Sequence, residues 1–180
     1  SKGEKILIFG DSGKGKSIFL DLICGFREPS SGEILMNGEK INYESLKLLQ
    51  KKIGLIPQNI PLVNSSLIEN IGFGKNINEI DINKVKKSLK LAGLEEFCTD
   101  QKMLNFKINS DFRNISEGQA KRLALARSIY FGKKIILLDE TTANLDKKLE
   151  KEILNDLINN DDLTLILVRH DPYLRDFFKK

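Results

Sequence analysis

Eight consecutive residues, Gly10-Asp11-Ser12-Gly13-Lys14-Gly15-Lys16-Ser17, follow the pattern GxxxxGK[ST]. Residues of these types at this spacing can hold an anion. The glycines let the backbone wind so that several N–H groups point inward. Lys16 can reach terminal phosphates, and the Ser17 hydroxyl can hold Mg²⁺. A second pair, Asp139 and Glu140, closes the run IILLDE. Two carboxylates at the same sheet edge as a phosphate loop can divide the work. One fixes Mg²⁺ directly or through water; the other orients an attacking water and accepts its proton. Each feature has a plainer reading: a glycine-rich turn that binds nothing, and a helix cap or solvated loop acid. Together they favour binding and cleavage of a nucleoside triphosphate.

The elements that must position these groups follow from apolar spacing. Ile6 to Phe9 reads as a buried strand ended by Gly10, so the loop joins a strand to the helix predicted over Ser17 to Cys24. Asn37-Gly38 sits between short polar–apolar stretches and predicts a tight hairpin within residues 32–42. Ile53 to Ile56, Ile135 to Leu138 and Leu163 to Val168 read as further strands, and residues 81–97 as a helix interrupted by Gly93. A helix over 147–158 is also expected. ISEGQ, at residues 115–119, opens what reads as an amphipathic helix through Ile129, with Ser116 as an ordinary N-cap. Residues 99–114 are the least patterned. Strands alternate with helices, and the apolar runs are continuous. That pattern predicts an α/β fold, a mainly parallel sheet flanked by helices, with ligands at the carboxyl edge of the sheet.

Bulk composition narrows the function classes. The chain has 180 residues, 41% of them apolar, and a formal net charge of +4 from 29 basic and 25 acidic residues. That suits one domain with a sizeable core. The charges are interspersed, so a nucleic-acid partner is not expected. Cys24 and Cys98 show neither pairing nor metal-ligand spacing and are expected to act as small apolar residues in a reducing compartment. No apolar run approaches the roughly 18 residues that span a bilayer, and SKGEKILIFG is too short in apolar residues to read as a signal peptide.

ISEGQAKRLALARS followed by IILLDE resembles the signature helix and Walker B strand of the ABC-type ATPases, whose pattern is LSGGQ, a basic helix, four apolar residues and DE. Other landmarks fall in family order. Gln58, after Ile56, matches the Q-loop glutamine; TTANLD resembles the D-loop, with Asp146 as its aspartate; His170, the sole histidine, matches the H-loop position. The resemblance covers nearly the whole chain. It implies a P-loop NTPase domain over 1–180, with a core of about 1–59 and 132–180 and a helical subdomain of about 60–131 carrying the signature. It implies ATP and Mg²⁺ as cofactors. Lys16 and the loop from Gly10 would hold the β- and γ-phosphates, while Ser17, Gln58 and Asp139 would arrange Mg²⁺. Glu140 would polarise the water, and His170 would contact the γ-phosphate. Ser116, Gly118 and Gln119 would act in trans, on ATP held by a second ABC ATPase domain paired head to tail, with Asp146 coupling the two sites. Membrane domains would be the other partner, which places the domain at the cytoplasmic face of a membrane.

The chain departs from the pattern at several points. Glu117 replaces the first signature glycine, which costs little at φ < 0 and is strained at φ > 0. Ile18 stands where the family usually has Thr or Ser on the α-phosphate, a loss of about 0.5–1.5 kcal/mol. NSDFRN before the signature does not match the loop of many exporters. Family members normally have strands before the phosphate loop, with an aromatic residue stacked on adenine, so a trimmed or minimal domain with weaker ATP binding is expected. The stretch QNIPLVNSSLIENIGFG resembles the exporter segment that docks on coupling helices, which favours an exporter over an importer. The alternatives are a nucleotide-binding module with little or no hydrolysis, and a soluble non-transport ABC ATPase. Soluble members of chromosome maintenance or DNA repair insert long coiled coils between phosphate loop and signature, and no heptads occur here; translation-associated members normally carry two cassettes, and one is seen here.

Overall fold

The fold is described from a computed structural model at residues 2–98, 104–109, 111, 113–139, 146–170 and 174–178. In chain order the elements are β1 (Lys5–Phe9), α1 (Lys16–Cys24), the hairpin strands β2 (Leu35–Met36) and β3 (Glu39–Lys40), α2 (Tyr43–Lys52) and β4 (Ile53–Ile56). There follow α3 (Leu67–Ile71), α4 (Ile82–Leu91), α5 (Glu117–Tyr130), β5 (Ile135–Asp139), α6 (Lys147–Ile158) and β6 (Thr164–Arg169). The main sheet has the order β1-β6-β5-β4 with every pairing parallel. β6, last of these strands in sequence, lies between β1 and β5. Its register runs Lys5 opposite Leu165 to Phe9 opposite Arg169 on one side, and Ile135 opposite Thr164 to Asp139 opposite Val168 on the other.

Side chains alternate across the sheet with period two. Leu137, Ile166 and Val168 pack with Leu20 and Cys24 beneath α1. Ile136, Leu138, Leu165 and Leu167 face the other way, into one continuous core shared with Leu67 and Ile71 of α3, Leu89 of α4, Leu123 of α5 and Leu154 of α6. Both faces are therefore covered, which is why the strands read as unbroken apolar runs. β1 differs from the expectation of a buried strand: its residues are half-buried and Phe9 is 46% exposed. Among the described residues β1 pairs only with β6, and an edge strand has one flank uncovered.

The helix opened by ISEGQ is not amphipathic in place. Residues of α5 are buried on nearly every side from Lys121 to Tyr130, and its cations are paired instead of solvated. Lys121 Nζ lies 2.6 Å from Glu117 Oε1. Arg122 bonds the carbonyls of Gly118 and Gly93, and Arg127 Nε donates to Asn70 O at 2.7 Å. Gly54 of β4 lies against this helix: a Cβ there would stand 2.6 Å from Ser128 Oγ and 2.7 Å from Ser128 Cβ. Gly54→Ala should therefore overpack the β4–α5 contact and cost about 1–3 kcal/mol, read as a fall of several degrees in Tm. An unchanged melting curve would show that β4 and α5 can separate freely.

Both cysteines are free. Burial pushes the Cys24 thiol up to about 11 and raises that of Cys98 as well, so neither is poised as a thiolate. Among the described residues no helix is long and apolar enough to cross a membrane.

Candidate functional site

A parallel sheet brings all its carboxyl ends to one edge, and each strand here delivers a predicted group there. β1 runs into the phosphate loop, β6 into His170, β5 ends on Asp139, and Gln58 follows β4. With strands about 4.8 Å apart, β5 and its Asp139 stand two strands, about 10 Å, from the loop-bearing strand.

The loop owes its shape to glycine. Gly13 has φ 78° and Gly15 φ 81°, and a Cβ at either would meet nothing within 4 Å. Backbone conformation, not space, demands glycine there; an L-residue would pay about 1–2 kcal/mol. Gly15 is also the N-cap of α1, and it offers no side-chain cap. The other α-helices named above each start with one: Asn42, Ser66, Asp81, Ser116 and Asp146. The first-turn N–H groups of α1 thus keep their hydrogen-bonding capacity and dipole for an anion in the cleft.

Lys16 Nζ donates to the carbonyls of Gly10 (2.7 Å) and Asp11 (2.8 Å) and lies 3.4 Å from His170 Nδ1. Residues 154 positions apart in sequence therefore meet. Lys16, Ser17, Gln58 and His170 line a cleft of about 270 Å³ with Ser12, Gly13, Gly15 and Ile18. Ile18 is 50% exposed and gives the cleft an apolar wall, as its departure from the usual hydroxyl residue implies. Lys14 is exposed on the loop, and Gly10 closes it by donating its N–H to Arg169 O at 3.3 Å. Asp139 is half-buried at the end of β5; Glu140 lies outside the described residues. The donors assigned to Mg²⁺ are a hydroxyl, an amide and a carboxylate, the oxygen chemistry a hard cation takes.

The remaining predicted residues do not line this cleft. Ser116 caps α5: its Oγ accepts from Gln119 N–H at 3.1 Å, and Gln119 Oε1 accepts from Ser116 N–H at 3.0 Å. Gly118 sits in the same first turn. Glu117 is helical, and Asn37 is the only non-glycine with positive φ among the described residues, so Glu117 carries no backbone strain. Its carboxylate instead partners Lys121, whose side chain is 3% exposed. Glu117→Gly, which would restore the family residue, should therefore destabilise the chain by about 1–3 kcal/mol, through a lost ion pair to a buried ammonium and a helical glycine. A melting temperature equal to or above that of the parent would contradict this. Asp146 caps α6, its Oδ1 accepting from the N–H groups of Lys148 (2.9 Å) and Leu149 (3.3 Å).

Sequence reasoning missed two charged residues beside the site. Arg169 and Glu150 form a buried pair, Nη1 to Oε1 2.5 Å, directly before His170. Arg169 reads as an ordinary cation at a strand end, and nothing in the local pattern of either residue shows that they are buried together.

Comparison with known proteins identifies the family. The family profile described as ABC transporter matches residues 1–143. The molybdate/tungstate import ATP-binding protein WtpC of Methanocaldococcus jannaschii is 33% identical over 93% of this chain and 54% of its own length. The ATP-dependent lipid A-core flippase of Cupriavidus pinatubonensis is 33% identical over 84% of this chain and 26% of its own. The lactococcin-A transport/processing ATP-binding protein LcnC of Lactococcus lactis is 34% identical over 94% and 24%. The structure of a bacterial Atm1-family ABC exporter with ATP bound superposes with a TM-score of 0.85 at 27% identity, over 96% of this chain and 30% of that one. The chain thus spans between about a quarter and about half of these relatives. It belongs to the ABC transporter family, as an ATP-binding domain with that family's P-loop fold.

Proposed function

We propose that this chain hydrolyses Mg-ATP to drive an ABC exporter, working at the cytoplasmic face of a membrane as one of two ATPase domains paired head to tail. The observation that supports it most is the single cleft that joins Lys16 and Ser17 to Gln58 and His170 above an uncapped helix. Lys16 and the loop amides bind the β- and γ-phosphates. Ser17, Gln58 and Asp139 would hold Mg²⁺, which supplies positive charge against the phosphate oxygens. Glu140 accepts the proton of the attacking water, and His170 stabilises charge on the γ-phosphate. Catalysis on this plan is positioning plus charge stabilisation.

The pairing is favoured by where the signature lies. Ser116 stands at the start of a 14-residue helix, where it and Gln119 cap each other, yet it does not line its own chain's cleft; in a pair its hydroxyl would turn from that cap to the partner's phosphate. A second copy, or a similar domain, would bring it there. The exporter reading rests on the segment after Gln58 and on the flippase and bacteriocin relatives. Val63, Phe73 and Ile77 flank α3 and are exposed, which suits docking on a membrane domain.

ATPase rate per chain, measured against protein concentration with Glu140→Gln as control, tests the proposal. A rate that rises with concentration and vanishes in the variant is expected. Binding of ATP without turnover at any concentration would instead favour a nucleotide-binding module. A rate unaffected by Glu140→Gln would remove the assigned base.

A further inference from the structure

Arg169 is fastened to three parts of the site at once. Its carbonyl accepts the N–H of Gly10, at the start of the phosphate loop. Its guanidinium donates to Glu150 of α6 at 2.5 Å, and the two side chains are 6% and 3% exposed. Its chain successor is His170, 3.4 Å from Lys16. The strand period explains how one residue does this. Arg169 shares the face of Leu165 and Leu167, the side covered by α6, so the following residue is directed to the opposite side, where α1 begins. Glu150 lies one helical turn beyond Asp146, the residue that caps α6.

Stability is a poor reason for this pair. Desolvating two charges roughly cancels their attraction, and well-packed apolar residues of similar volume do as well or better. Its value is geometric: an ion pair with directional hydrogen bonding fixes a strand end against a helix more tightly than apolar contact does.

We propose that Arg169–Glu150 is a positioning pair that locks helix α6, and with it Asp146, to His170 and the phosphate loop, so that the two flanks of the ATP site move as one unit. Its consequence for turnover rests on the function proposed above; the locking itself does not.

The test replaces the pair by apolar residues of similar volume, Arg169→Met with Glu150→Leu, beside the milder Glu150→Gln. The double variant should melt at or above the parent temperature. Its kcat should fall about tenfold or more, as expected when a catalytic group is loosened, with KM for ATP changed less than twofold. His170 is the sole histidine, so its imidazole Hε1 gives a single NMR signal. That signal should broaden or split in the double variant, with and without Mg-ATP. Glu150→Gln should show the same split between kcat and KM at smaller size, so a double variant that failed to fold would still leave a reading. Unchanged kcat together with an imidazole signal like the parent's, in either folded variant, would overturn the proposal. If the parent itself shows no turnover, the proposed function falls while the imidazole signal still reads the locking.

Discussion

Lys16→Ala is expected to weaken Mg-ATP binding by about ten- to 150-fold. The substitution removes hydrogen bonds made by a charged donor, worth about 1.5–3 kcal/mol, at about 1.4 kcal/mol per decade. The geometry argues for the upper half of the range. Lys16 sits in the first turn of α1, and its ammonium is held by two loop carbonyls, within reach of the whole cleft. Removing it takes away the one cation that this helix start places among the loop amides, which act only through partial charges. It should also release His170, whose ring now neighbours that ammonium at 3.4 Å. Titration calorimetry against the parent gives the binding ratio directly. A loss of less than about threefold would mean that backbone amides carry the phosphate alone.

Glu140→Gln is expected to lower turnover by about 10²- to 10⁴-fold, the usual contribution of a positioned general base. ATP affinity should stay within a few-fold, because the amide keeps the shape and changes only the charge and basicity. Asp139 ends a central strand of the parallel sheet, whose carboxyl edge also carries the β1 loop and His170, and Glu140 is its neighbour in sequence. The measurement is single-turnover hydrolysis at saturating Mg-ATP, with binding measured in parallel. A large fall in affinity with unchanged single-turnover rate would assign Glu140 to binding, not to proton transfer.

The sequence was most legible where residue type and backbone geometry are tied together. The phosphate loop could be read because Gly13 and Gly15 need left-handed φ values and only glycine takes them cheaply. β4, β5 and β6 could be read because both sheet faces are covered. Helix α2 was not anticipated. None of its residues is buried, so its apolar spacing is weak, and the reciprocal cap between Asn42 and Ser45 emerges only in the structure. The paired cations of α5 were also missed. Lys121, Arg122 and Arg127 look like a solvated face in one dimension, and only the fold shows that carbonyls and Glu117 enclose them. The same limit hid Arg169 and Glu150, 19 residues apart.

The position of β6 has a consequence for how the protein is made. It is the central partner of β1, yet β1 spans residues 5–9 and β6 spans 164–169. At about 5–20 residues per second of synthesis, KILIF waits on the order of ten to thirty seconds for this partner. During that interval the flank that β6 will cover is open to other nascent chains. Lys5 at its start is then the nearest charge that can discourage such pairing. His170 comes just after β6, so the nucleotide cleft cannot close around ATP until almost all of the described chain has left the ribosome. Newly made protein should therefore acquire ATP protection late and in one step, and the nucleotide then acts as a reporter of completed assembly.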